Sequence, residues 1–193
     1  EVPEFSEYGL KAYAALQATG KYMLRAIAIY LGLEETYFDQ HIAYGNSILR
    51  PIHYGPIIDA PKNAVRAGQH EDINLITLLM GASAAGLEVL DKQDNWIPIT
   101  ALPNQLVVNV GDMLQRLSNN KLRSTTHRVV NPPKEEWGST RFSIPFFLHP
   151  VSEMRLDCRE ECITKDNPKA YEDISAGEFL TQRLIEIGLL EKK

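Results

Sequence analysis

From Ile48 onward the chain breaks into short apolar runs, and their spacing most limits the folds open to it. The runs cover residues 49–54, 73–80, 87–90, 96–102, 106–110, 124–130 and 141–148, with Gly, Pro, Asn and Asp between them. Seven such runs suit strands and are too short for helices. Close spacing with turn residues at each break argues a β-sandwich or barrel. Residues 91–95 and Pro132-Pro133 are loops by composition.

Helices flank this region. Phe5, Tyr8, Leu10, Tyr13, Leu16, Tyr22, Met23, Ile27, Tyr30 and Leu31 recur mostly at three- and four-residue steps, which predicts an amphipathic helix. Gly32 followed by Leu33-Glu34-Glu35 marks its stop and a restart. Near the C-terminus, Phe179, Leu180, Leu184, Ile187 and Leu190 predict a second helix with one apolar face. The expected fold is mainly β with flanking helices, a double-stranded β-helix (jelly-roll) barrel whose helices cover one sheet. A length of 193 residues suits one domain. It divides into a helical support region (1–47), a jelly-roll core (48–150) and a C-terminal strand and helix (151–193).

Composition narrows the functions. Hydrophobic residues at 44% and charged residues at 23% are ordinary for a soluble globular protein. A formal net charge of -5 without a polybasic run argues against a nucleic-acid partner or an anionic membrane. No stretch approaches the roughly 20 apolar residues of a membrane span, and no signal pattern opens the chain, so the cytoplasm is the expected location. Cys158 and Cys162 lie four apart without further zinc ligands nearby and read as free thiols. Nothing in the sequence bears on oligomeric state.

Five residues suggest chemistry: His70, Asp72, His127, Arg141 and Ser143. On a strand, or at its end, His70 and Asp72 share a face and Glu71 takes the other. With His127 from the strand-like Ser-Thr-Thr-His-Arg-Val-Val, two imidazoles and a carboxylate could occupy one face of an octahedral metal and leave the rest open, as a non-haem Fe(II) site requires. Arg141 and Ser143 alternate about Phe142, placing a cation and a hydroxyl together, suited to a carboxylate. Each piece has a plainer reading. A His-x-Asp pair recurs by chance, an inward arginine often meets an internal carboxylate, and spacing alone does not exclude His41, His53 or His149, although His41 and His149 read as ordinary. A zinc hydrolase is disfavoured, because no histidine follows Glu71 at the required spacing.

The stretches Gly-Asp-Met-Leu-Gln-Arg-Leu-Ser-Asn (111–119), Ser-Thr-Thr-His-Arg-Val (124–129) and Arg-Phe-Ser-Ile-Pro-Phe-Phe-Leu (141–148) resemble the isopenicillin N synthase-like branch of the Fe(II)/2-oxoglutarate dioxygenases. His70-x-Asp72, His127 and Arg141-x-Ser143 fall in that family's order, and the resemblance runs from about Leu49 to Pro150. It implies that His70, Asp72 and His127 hold Fe(II), that Arg141 and Ser143 hold the far carboxylate of 2-oxoglutarate, and that Tyr54 helps seat the co-substrate. The reaction implied consumes O2, decarboxylates 2-oxoglutarate to succinate, and oxidises a small organic molecule by hydroxylation, desaturation or ring closure. Ile73, Leu75, Val108, Val110, Ile144 and Phe146 are candidates for the apolar wall of that site or for core. Two departures stand out: a long loop between His127 and Arg141, and no long region before the first helix, which suggests a fragment. The alternatives are an O2-dependent oxidase of this scaffold that needs no 2-oxoglutarate, and a non-catalytic jelly-roll binding protein.

Overall fold

A computed structural model describes residues 2–59, 63–81, 85–100, 102 and 104–191. Helix α1 (Phe5–Leu31) stops at Gly32, whose φ of 83° takes the chain into the left-handed region as expected. Its buried stripe is narrower than the apolar spacing predicts. Leu16, Gly20, Leu24, Ala28 and Leu31 face the core, whereas Phe5, Tyr8, Leu10, Tyr22, Met23 and Tyr30 are exposed. The small residues Gly20 and Ala28 let the helix approach the sheet closely: a Cβ on Gly20 would meet Leu148 Cδ1 at 2.3 Å. Close backbone approach thus decides the inward face, and bulk is left outside. Helix α2 (Asp39–Ile42) follows after a short turn.

Among the described residues nine strands form two antiparallel sheets. They are β1 (Ile48–Leu49), β2 (Ile52–Tyr54), β3 (Ala67–His70), β4 (Ile76–Met80), β5 (Leu87–Leu90), β6 (Trp96–Pro98), β7 (Leu106–Val110), β8 (His127–Val129) and β9 (Arg141–Leu148). The larger sheet runs β1-β9-β4-β7 with β2 also paired to β9, and the smaller runs β3-β8-β5-β6. The result is the jelly roll expected from the sequence. Of the seven apolar runs, those at β5, β7 and β9 match their strands residue for residue. The run at 96–102 pairs through β6 and the Ile99 N–H, which donates to the Leu87 carbonyl at 2.9 Å, and its Ala101 lies outside the described residues.

Alternation on the larger sheet separates support from chemistry. Ile76 and Leu78 of β4, with Phe146 and Leu148 of β9, are fully buried in the core beneath α1, where Tyr13 meets Phe146 edge-on at 5.0 Å. Burying each such side chain contributes about 1.5–3 kcal/mol. The opposite face carries Thr77, Leu79, Val107, Asn109, Arg141, Ser143, Pro145 and Phe147, all lining one cleft.

Three sequence expectations need correction. Residues 112–117 form a further helix, α3 (Asp112–Leu117), which the sequence reading did not include. Beyond β9 the described residues show an isolated bridge, Arg155–Ser175, in place of a strand. The last helix, α4 (Ala176–Glu186), starts with a Ser175–Glu178 capping box but ends before Ile187 and Leu190, both exposed. Among the described residues no helix is long and apolar enough to cross a membrane.

Candidate active site

Two neighbouring strands of the smaller sheet bring the histidines together. His70 ends β3 and is the direct antiparallel partner of His127, the first residue of β8, and their rings lie 4.3 Å apart. Asp72 falls just past the end of β3, so the ladder does not position it. A turn does so instead. Asp112 N–H donates to the Asp72 carbonyl at 2.8 Å and Met113 N–H to the Asn74 carbonyl at 3.1 Å, docking the start of α3 on the 72–74 segment. Gly111 makes this approach possible, since a Cβ there would sit 2.2 Å from Asn74 Oδ1 and 2.8 Å from the Asp72 carbonyl oxygen.

The donor atoms are prepared individually. The Nδ1 of His70 lies 2.8 Å from the Gly68 carbonyl, and the Nδ1 of His127 lies 2.8 Å from the Thr125 carbonyl. A carbonyl can only accept, so these contacts assign the proton to Nδ1 and leave a lone pair on each Nε2. Asp72 is 5% exposed, and its Oδ2 accepts from Thr77 Oγ1 at 2.6 Å and Asn109 Nδ2 at 2.9 Å. That leaves Oδ1, which lies 4.0 Å from His70 Nε2 and 3.8 Å from His127 Nε2. Both distances exceed a hydrogen bond. Three donors that converge without bonding to one another, with their remaining atoms already engaged, fit a divalent cation. Among the described residues this trio is the one group of His, Cys, Asp and Glu close enough to do so.

The cation and hydroxyl read from β9 lie across the cleft on the larger sheet. Arg141 is 1% exposed and Ser143 5%, while Phe142 between them is 54% exposed and stacks on His53. Strand β2 sets Tyr54 opposite Arg141 and Ile52 opposite Ser143, and the Arg141 guanidinium lies 5.3 Å from the Tyr54 ring centre. Burial lowers the Arg141 pKa, Tyr54 pulls it back up, and nearby Arg66 lowers it further; an arginine stays protonated at neutral pH throughout. Arg66 faces the same Tyr54 ring from 5.7 Å.

One cleft, of about 130 Å³, joins the histidine trio to Arg141, Ser143 and Tyr54. The six apolar candidates that the sequence left between wall and core do not form its wall, and Leu75 and Phe146 belong to the core. Leu79, Val107, Val129 and Phe147 are among the lining residues instead. The reason is parity: on β9 the positions that share a face with Arg141 and Ser143 are 145 and 147, so Ile144 and Phe146 must point away. Sequence reasoning also missed Thr77, Asn109 and Arg50. Thr77 and Asn109 each left a signal as the polar member of an apolar strand. Of the remaining histidines, His41 packs on Tyr37. His149 is buried, and that burial pushes its pKa down to about 4.

A jelly roll with two histidines and a carboxylate converging in a cleft defines a protein built around a mononuclear, non-haem metal centre. A family model for the 2OG-Fe(II) oxygenase superfamily matches residues 45–150, and the chain belongs to that superfamily. It is 35% identical to Kihadalactone A synthase LFS from Citrus sinensis, over 88% of this chain and 51% of the relative. Among solved structures it is similar to a Caulobacter crescentus protein assigned to the 2OG-Fe(II) oxygenase family, with a TM-score of 0.90 and 50% identity, covering 96% of this chain and 60% of that one. It is also similar to a Neurospora crassa protein solved at full length in complex with alpha-KG and thymine, with a TM-score of 0.87 and 34% identity, covering 95% of this chain and 57% of that one. The chain spans about half the length of the curated relatives it matches.

Proposed function

We propose that this chain carries the catalytic core of an Fe(II)/2-oxoglutarate-dependent dioxygenase that oxidises a small organic substrate. The observation that carries the reading is the convergence of His70 Nε2, His127 Nε2 and Asp72 Oδ1 in the same cleft as buried Arg141. His70, Asp72 and His127 would hold Fe(II), with Thr77 and Asn109 keeping Asp72 Oδ1 turned to the ion. When bound, the iron supplies O2 activation coupled to decarboxylation of 2-oxoglutarate to succinate and CO2.

The protein's own residues then bind, orient and exclude. Arg141 and Ser143 take the far carboxylate of 2-oxoglutarate by charge-assisted and neutral hydrogen bonds, and Tyr54 braces the guanidinium. Leu79, Val107, Val129 and Phe147 supply a dry wall, which strengthens the ionic grip and keeps water from the reaction. Similarity to the Neurospora crassa protein solved with alpha-KG supports 2-oxoglutarate over the oxidase reading. A cytoplasmic setting belongs to the same proposal and is supported by two free, buried thiols, Cys158 and Cys162.

The test measures Fe(II) binding and 2-oxoglutarate-dependent succinate release in the parent and in His70→Ala, Asp72→Ala and His127→Ala. Each variant is expected to lose both, while His41→Ala and His53→Ala keep them. Near-parental turnover in any one ligand variant would remove that residue from the centre.

A further inference from the structure

We propose that Glu71 is a positioning residue, tying the two ligand-bearing segments together from behind the metal site through Thr126. The proposal rests on the metal assignment above and goes beyond it. Glu71 stands between His70 and Asp72 with its side chain turned to the other face. Thr126 immediately precedes His127 and likewise faces away from the cleft. Thr126 Oγ1 donates to Glu71 Oε1 at 2.7 Å. Two back-facing neighbours of the ligands are thereby joined.

The tie matters because the backbone leaves a gap there. The β3–β8 register shifts between Ala67 and His70, and β3 ends at His70, so no ladder bond continues to Asp72. The other bonds that hold Asp72 run to β4, β7 and α3 through Thr77, Asn109 and the Asp112 N–H. None of these reaches the strand that carries His127. Among the described residues, Glu71–Thr126 is the side-chain hydrogen bond that links residues 70–72 to residues 125–127. Hydrogen bonds behind metal ligands fix their orientation, and their loss typically weakens binding by roughly 10–100-fold.

The probe is Co(II), added under anaerobic conditions and followed by its visible absorption and by competition titration. Glu71→Ala and the isosteric Thr126→Val are each expected to weaken Co(II) binding roughly tenfold and to change the absorption envelope. The double variant is expected to lose no more than either single one, as for two halves of one bond. Glu71→Gln keeps an oxygen that accepts from Thr126 and is expected to restore most of the affinity and the parental spectrum. Unchanged affinity in both single variants, losses that add in the double variant, or Gln as damaging as Ala would overturn the proposal. His70→Ala separates the two levels. Parental Co(II) binding in that variant would remove the metal centre itself, whereas loss there with none in Glu71→Ala and Thr126→Val would remove only the positioning role.

Discussion

Thr77 Oγ1 donates to Asp72 Oδ2 at 2.6 Å from within a strand whose other side chains are all apolar. Thr77 also accepts from Asn74 Nδ2 at 2.8 Å, so one hydroxyl orders both ends of the turn that presents the carboxylate. Thr77→Val keeps shape and removes that order. Metal affinity is expected to fall by roughly one order of magnitude while the fold persists. Competition titration and a thermal melt of the metal-free protein check the two halves of this expectation.

Arg141→Gln is expected to cut 2-oxoglutarate affinity by roughly two to three and a half decades, because breaking a buried charge pair costs about 3–5 kcal/mol. Ser143→Ala removes a neutral hydroxyl and is expected to cost roughly tenfold. Metal binding stays nearly parental in both. The 2-oxoglutarate dependence of succinate formation reads the difference. Turnover by the parent without 2-oxoglutarate, with Arg141→Gln weakening the main substrate instead, would shift the reading to the oxidase.

Acid stability should show two opposing slopes in the metal-free protein. His149 falls from the usual 6.5 to about 4 on burial, so the unfolded chain binds the extra proton between those values. Its stabilisation is full above about pH 6.5 and is lost as pH falls to about 4, on the order of 3 kcal/mol in all. Asp112 runs the other way, since burial and the Glu71 carboxylate push it up to about 6 and its contribution is lost as pH rises through that value. Relative to the parent, His149→Gln is expected to remove a rise in stability between pH 4 and 6.5 and Asp112→Asn to remove a fall. Urea unfolding at stepped pH measures both.

Neighbouring residues on β4 should behave oppositely. Leu78 is fully buried beneath α1, and Leu78→Ala is expected to destabilise by about 2–5 kcal/mol with little change in the 2-oxoglutarate KM. Leu79 lines the cleft. Leu79→Ala is expected to cost much less stability and to alter turnover. Denaturant unfolding and steady-state kinetics on the same pair of variants decide it.

The sequence made the jelly roll legible through period-two alternation and punctuation by turn residues, whereas alternation only made the five polar residues candidates and the family resemblance assigned their roles. Elements without such a pattern were read only from a ligand or not at all. Strand β3 reads Ala-Gly-Gln-His, with nothing apolar to alternate, and its only sequence mark is the ligand that ends it. Helix α3 spans six residues, too few for a helical period to show. Of the two readings open for the apolar candidates on β9, wall or core, Ile144 and Phe146 turn away from the cleft, because Arg141 and Ser143 fix which positions point inward. On α1, aromatic bulk was taken for burial, while Gly20 and Ala28 mark the side that meets the sheet.

The histidines belong to the smaller sheet and the arginine–serine pair to the larger. Under the proposed reading, 2-oxoglutarate is therefore a strut. Metal joins the histidines of the smaller leaf to Asp72, which Thr77 and Asn109 anchor on β4 and β7 of the larger, and a co-substrate gripped at the iron and at Arg141 adds a second tie, to β9. Amide exchange along β8 and β9 should slow further when 2-oxoglutarate joins the metal than with metal alone, and conversion to succinate, a shorter diacid, would slacken that second tie and let the leaves breathe again.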